Sequence, residues 1–301
     1  MALLIITTIL WAFSFSLIGE YLAGSVDSYF SVLMRVGLAA LVFLPFLRTR
    51  GQSPRTIVLY MLVGAMQLGI MYLLAFRAYL YLTVSEFLLF TVFTPLYITL
   101  IYDLLSGRKL RWGYLLSAAL AVLGAAIIRY DKVSDHFWTG LLLVQLSNLC
   151  FAIGMVGYKR LMEVRPMPQH NAFAWFYVGA FIVAVAAWFM LGNAQKLPTT
   201  TLQWSVLVWL GVVASGLGYF MWNYGATQVD AGTLGIMNNV HVPAGLLVNL
   251  AIWQEQPHWP SFISGALVIL ASLWVHRRWV APHSGQTADD RRRGSCLLYT
   301  S

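Results

Sequence analysis

Ten apolar stretches, most of them near the length of a membrane-crossing helix, follow one another along this 301-residue chain with only short gaps between them. A helix of about 20 apolar residues covers about 30 Å of hydrocarbon, and in lipid only helices and closed barrels satisfy their own backbone groups. The stretches begin near Ala2, Tyr29, Ile57, Leu82, Trp112, Leu141, Ala172, Trp204, Ala231 and Phe262. Breakers and charges fill the gaps, as in Arg48 to Arg55, Gly107-Arg108-Lys109 and Arg165-Pro166-Met167-Pro168. The expected fold is an all-α integral membrane protein of ten transmembrane helices. With 10% charged residues against about 25% in soluble domains, the chain is excluded from the water-soluble globules. The first stretch lacks a positive n-region and a small-residue cleavage site, so it is expected to be a retained helix rather than a signal peptide.

The net charge of +8 raises the question of nucleic acid, but that reading needs a basic patch on a soluble fold. Here the basic residues punctuate apolar runs, which makes the lipid bilayer the partner and leaves no nucleic acid. Cytoplasmic loops hold the excess of Lys and Arg. With the N-terminus inside, fourteen basic residues fall in inner loops and the tail, among them Arg48, Arg108, Lys159, Arg165 and Arg291 to Arg293. Three, Arg129, Lys132 and Lys196, fall outside. Both termini are therefore expected in the cytoplasm. Cys150 and Cys296 are the two cysteines, too few for a disulfide framework or a CxxC metal site.

Displacing the chain on itself by 147 residues pairs Gly64 with Gly211, Gly69 with Gly216, Tyr72 with Tyr219, Trp112 with Trp259, Ser117 with Ser264 and Leu120 with Leu267. Residues 1–130 and 137–279 then form two copies of five helices each, followed by a polar cytoplasmic tail at 280–301. Five is odd, so the second copy enters the membrane from the opposite face. Inverted repeats of this kind recur in secondary transporters, with the substrate held near the midplane at the repeat interface and access alternating as one half rocks against the other.

Ionisable groups inside a membrane cost about 2.5 to 3.5 kcal/mol each on insertion scales and usually face a cavity or a partner. Arg35 fits two readings, a cation tied near the outer interface or a binder of an anionic ligand group. Arg77 and Glu86 flank the connection between the third and fourth helices, where they either form an ion pair or leave Glu86 as a proton-responsive gate. Pro95 and Pro243 each delete a helix hydrogen bond, so both helices are expected to bend there and mark a cavity. Just before the second bend stand Asn238 and Asn239, amides that donate and accept, with His241 on nearly the same face as a packing residue or a proton carrier. Trp11, Tyr72 and Trp222 are the aromatic cavity candidates. Gln67, Gln145, Asn148 and Asn223 are mid-helix amides that either line the cavity or tie helices together.

No GxxxxGK[ST] phosphate loop occurs, so ATP-driven transport by this chain alone is not expected and no ATPase partner is evident. No HExxH, GxSxG or metal-spaced cluster points to an enzyme, a metal or a cofactor.

Two five-helix copies, with Leu10-Trp11-Ala12-Phe13-Ser14-Phe15, Leu33-Met34-Arg35-Val36-Gly37-Leu38 and Trp222-Asn223-Tyr224-Gly225-Ala226, resemble the drug/metabolite transporter superfamily and its EamA-type members. The usual Glu-Pro of the ninth helix is Val242-Pro243 here, and the Gly-Glu positions read Gln254-Glu255 and Gly107-Arg108. Met1 to Phe15, Tyr60 to Gln67, Met155 to Arg160, Arg165 to Phe176 and Tyr219 to Asn239 resemble those members of the superfamily that take up biotin. The resemblance implies import of that small molecule across a bacterial cytoplasmic membrane. Export of amino acids or other hydrophobic metabolites, a common role in the superfamily, is the alternative, and a non-transporting membrane scaffold is a further one. A carboxylate, an apolar chain and a ureido ring match an Arg, aromatic walls and amides.

Overall fold

A computed structural model describes residues 2–105 and 135–229 and, beyond these, residues 120, 123, 237, 238, 244, 245, 247–254, 260, 263, 264, 267, 270, 271 and 274. Seven helices in it are long and apolar enough to cross a membrane: α1 (Ala2–Leu22), α2 (Ser28–Phe46), α3 (Pro54–Ala78), α4 (Val84–Tyr102), α5 (Phe137–Val164), α6 (Gln169–Leu191) and α7 (Thr201–Thr227). They match seven of the ten expected stretches. Those beginning near Trp112, Ala231 and Phe262 lie largely outside the described residues, as do the tail and the turn at Gly107-Arg108-Lys109. No strand occurs among the described residues, and the chain is a multi-pass membrane protein.

Short polar residues start four of the helices. The Asp27 carboxylate accepts from the Phe30 amide at 2.8 Å and caps α2. Ser53 caps α3 at the Thr56 amide, with Pro54 in the first turn where its missing N–H costs nothing. Thr83 with Glu86 and Thr200 with Gln203 form capping boxes at α4 and α7.

The chain forms two compact units. The first, residues 1–101 and 133–257, contains nearly all that is described below. In it α2 packs along α6 and α7, α3 along α5 and α6, and α1 along α7. Small residues allow the closest approach: a methyl group on Gly64 of α3 would overlap the Phe176 carbonyl of α6, and one on Gly179 of α6 would overlap the Met61 carbonyl of α3. Loops sort to two ends. At one, the Asp27 amide donates to the Lys196 carbonyl at 2.8 Å. At the other, the Arg48 amide donates to Asn171 Oδ1 at 3.0 Å and the Tyr60 hydroxyl to the Arg165 carbonyl at 3.1 Å. Of the second unit, residues 102–132 and 258–301, scattered helical positions are described, with Leu267, Leu270 and Trp274 exposed.

Both α3 and α7 are interrupted by wide π-helical turns, Ala65–Ile70 and Leu210–Leu217. Such turns shift the hydrogen-bond register within a helix and are frequent at functional sites.

Candidate functional site

Arg35 lies in α2 and is 3% exposed. Its Nε donates to Ser215 Oγ of α7 at 2.6 Å. Its guanidinium carbon stands 4.2 Å from the centre of the Tyr72 ring of α3. The Tyr72 hydroxyl lies 2.9 Å from Ser215 Oγ, and the Tyr177 hydroxyl of α6 donates to the Ser215 carbonyl at 2.6 Å. Four helices thus converge on one cation. Among the described residues neither Nη group finds a hydrogen-bond acceptor and no carboxylate pairs with Arg35.

Magnitudes show what this arrangement lacks. A desolvated cation over a ring gains roughly 2 kcal/mol, and a hydrogen bond to a charged group about 1.5 to 3 kcal/mol. These offset the placement of the charge and leave its outer N–H donors unused. Arg35 itself lines a cavity. Its walls are largely aromatic, from Trp11, Phe15, Tyr72, Phe76, Phe87 and Tyr219. A chamber with one cation and apolar walls suits an organic anion.

Trp11 forms part of the floor. Its ring lies 4.5 Å from Tyr219 and 5.0 Å from Trp222, and its Nε1 donates to the Ala214 carbonyl at 3.0 Å. That carbonyl belongs to the π-helical turn of α7, so the widened backbone is held by a side chain of α1. Trp222 is fully buried behind this layer and donates to the Met155 sulfur at 3.2 Å. Gln67 and Asn223, both 0% exposed, do not line the cavity but bond to each other. An amide buried among helices is satisfied at least cost by another amide, and here that partner is protein.

Helix α4 does break at the expected proline. A 3-10 turn over Thr91–Phe93 separates Val84–Phe90 from the segment containing Pro95. The freed Phe90 carbonyl accepts from Asn148 Nδ2 at 2.9 Å and from Gln145 Nε2 at 3.3 Å, both on α5. The Thr91 carbonyl, which Pro95 cannot serve, accepts instead from the Thr94 backbone N–H and from Thr94 Oγ1, the latter at 2.7 Å. Thr91, Thr94 and Asn148 line the cavity, whereas Gln145 is held behind it by Tyr97.

Arg77 and Glu86 do not pair. The Arg77 guanidinium faces the Tyr29 ring at 5.9 Å, away from the cavity lining. The Glu86 carboxylate instead accepts from the Thr83 amide at 2.9 Å and completes the α4 capping box. An acid at the third position of a helix is drawn to the unsatisfied amides of its first turn, which competes with a partner nine residues away in sequence. Asn238 borders the cavity, while Asn239, His241 and Pro243 lie outside the described residues.

The sequence reading missed Ser215, Ser147 and Ser14. In an apolar helix a lone Ser normally bonds the carbonyl one turn back, and nothing in the spacing sets Ser215 apart. Thr91 and Thr94 did carry a signal, since hydroxyls just ahead of a mid-helix proline are placed to satisfy what the proline leaves open.

A family model described as "EamA-like transporter family" matches residues 1–130 and 138–277. A protein of Escherichia coli named "Biotin transporter" is 83% identical over 297 residues, covering 99% of each chain. The one of the same name from Salmonella typhimurium is 84% identical over 293 residues, covering 97% of this chain and 98% of its own. A "Probable biotin transporter" of Pseudomonas aeruginosa is 55% identical over 279 residues, covering 92% of this chain and 97% of its own. A solved structure titled "Crystal structure of protein" superposes with a TM-score of 0.64 at 17% identity, covering 91% of this chain and 95% of the other, a likeness of fold alone. With the model matched along nearly its whole length, this chain belongs to the EamA-like transporter family.

Proposed function

We propose that this chain is a secondary transporter that imports biotin, with Arg35 holding the carboxylate and the aromatic walls receiving the apolar chain. The observation that carries the reading is the buried Arg35 guanidinium, without a carboxylate partner among the described residues, at the edge of an aromatic chamber. Relatives at 83% and 84% identity that bear the name biotin transporter supply the ligand. Biotin brings the missing negative charge.

The chamber extends toward one end of the bundle. Its lining runs from Trp11 and Tyr219 toward Ile18, Tyr79 and Phe87, at the end of the bundle where α1 and α3 finish and α4 begins. The asymmetry of basic residues makes that end the periplasmic one in a bacterial inner membrane, with both termini cytoplasmic. Alternating access follows from closing that end and opening the one beneath Trp222. An anion entering against a negative-inside potential costs about 2.3 kcal/mol per 100 mV, so a coupled ion or internal consumption drives uptake.

Ten helices in two inverted repeats remain part of this reading. The two π-helical turns support it, since the 147-residue offset carries Ala65–Ile70 into Leu210–Leu217. So does the packing: α1 lies on α7 as α5 lies on α3, and α2 lies on α7 as α6 lies on α3.

Labelled-biotin uptake in a biotin-requiring bacterium without another importer tests the function. Uptake that depends on this chain supports it. Unchanged uptake after deletion, with resistance to toxic amino-acid analogues on overexpression, favours export instead.

A further inference from the structure

Asn238 is 1% exposed, borders the same cavity as Arg35, and its Nδ2 is buried with no hydrogen-bond acceptor among the described residues. Buried polar groups in folded proteins nearly always find a partner, and one left unmade costs roughly as much as a lost hydrogen bond. The other buried amides of this bundle follow that rule. Gln67 and Asn223 satisfy each other, and Asn148 donates to the Phe90 carbonyl. Among the described amides Asn238 is the exception, and it borders the chamber.

The chamber therefore offers two kinds of donor. Arg35 presents charged N–H groups to an anionic ligand group. Asn238 presents a neutral N–H, which suits an uncharged carbonyl, because such a pair buries no charge that lacks a counter-charge. Tyr72, Phe76, Phe87 and Trp11 add aromatic surface to the same lining, and Arg35 and Asn238 come to it from distant parts of the chain. We propose that Asn238 is the specificity residue for the neutral end of the ligand, donating Nδ2–H to the ureido carbonyl of biotin. The proposal rests on the biotin reading and adds the group that distinguishes biotin from other apolar carboxylates.

Discrimination of this kind is strong in principle, since a ligand that lacks the acceptor leaves the donor buried and unpaired. The probe is 2-iminobiotin, which replaces the carbonyl oxygen by an imine that is protonated at neutral pH and so donates where biotin accepts. Equilibrium binding of both ligands to purified full-length protein gives a preference ratio. The wild type is expected to favour biotin by roughly tenfold or more, the weight of one good hydrogen bond together with the mismatched donor.

Asn238→Leu is expected to bring the ratio to within about twofold of unity while leaving affinity for 2-iminobiotin largely intact. Asn238→Asp supplies an acceptor and is expected to reverse the preference, a readout that loss of packing does not produce. Should Asn238→Leu fail to fold, Asn238→Thr keeps the test open, because a rotatable hydroxyl serves either ligand and also narrows the ratio. A ratio that stays at the wild-type value in these variants overturns the role of Asn238 and leaves biotin transport standing. Wild-type protein that binds neither ligand overturns the biotin reading, and this inference with it.

Discussion

Gln67 of α3 and Asn223 of α7 exchange both of their amide hydrogen bonds, at 3.0 and 3.1 Å, with neither side chain exposed. Asn223 stands one helical turn beyond the cavity-lining Tyr219, and Gln67 lies in the π-helical turn just before Met71 and Tyr72. The pair therefore ties the two interrupted helices together directly beneath the floor of the chamber. Removing one partner strands the other. Gln67→Leu is expected to destabilise the folded protein by about 1 to 3 kcal/mol, and Gln67→Leu combined with Asn223→Leu to recover much of the loss. Reversible unfolding of the purified protein in detergent checks both values.

The crossing of α3 and α6 depends on absent side chains at two positions. At Gly64 and Gly179 a Cβ would overlap backbone of the opposite helix, and backbone cannot move aside as a flexible side chain does. Gly64→Ala and Gly179→Ala are each expected to lower stability by about 1 to 3 kcal/mol. By contrast, Gly157→Ala meets only the Val63 side chain at 3.2 Å and is expected to be much milder. The same unfolding measurement separates the three.

The break in α4 is held by side chains of α5. Asn148→Leu removes the shorter of the two donors to the Phe90 carbonyl, leaving Gln145 at 3.3 Å as its remaining amide partner. A stability loss of roughly 1 kcal/mol is expected, with uptake reduced because Asn148 and Thr91 share the cavity wall. Uptake normalised to membrane abundance is the measurement.

Most of the fold was legible because a bilayer leaves few solutions to an apolar chain. Span length, charged gaps and prolines located seven helices close to where they stand, and Pro95 announced the break that lines the cavity. Site residues were legible in part. Arg35, Trp11 and Tyr72 stood out as a charge or large rings in mid-span. Gln67, Asn223 and Gln145 carry the same signal in sequence yet bond to protein, since an amide looks alike whether its partner is a ligand or another helix. Arg77 and Glu86 misled for a related reason: opposite charges at the two ends of a short connection imply a pair, but the first-turn amides of α4 took the carboxylate.

The inverted arrangement makes a topological prediction. The ends of α1 and α5 that carry residue 2 and residue 140 are expected on opposite sides of the membrane, the first cytoplasmic. Single-site labelling with an impermeant reagent in right-side-out and inside-out vesicles reads this, and the same side for both contradicts the repeat.

The charge on Arg35 is the centre of the account, and comparing biotin with its methyl ester in wild-type and Arg35→Gln protein tests it most directly. Equilibrium binding to the purified wild type is expected to favour biotin by about tenfold or more, the weight of a charge-assisted contact, and Arg35→Gln to remove that preference by weakening biotin alone. A preference for the free acid that survives Arg35→Gln unchanged would mean that the carboxylate is held elsewhere.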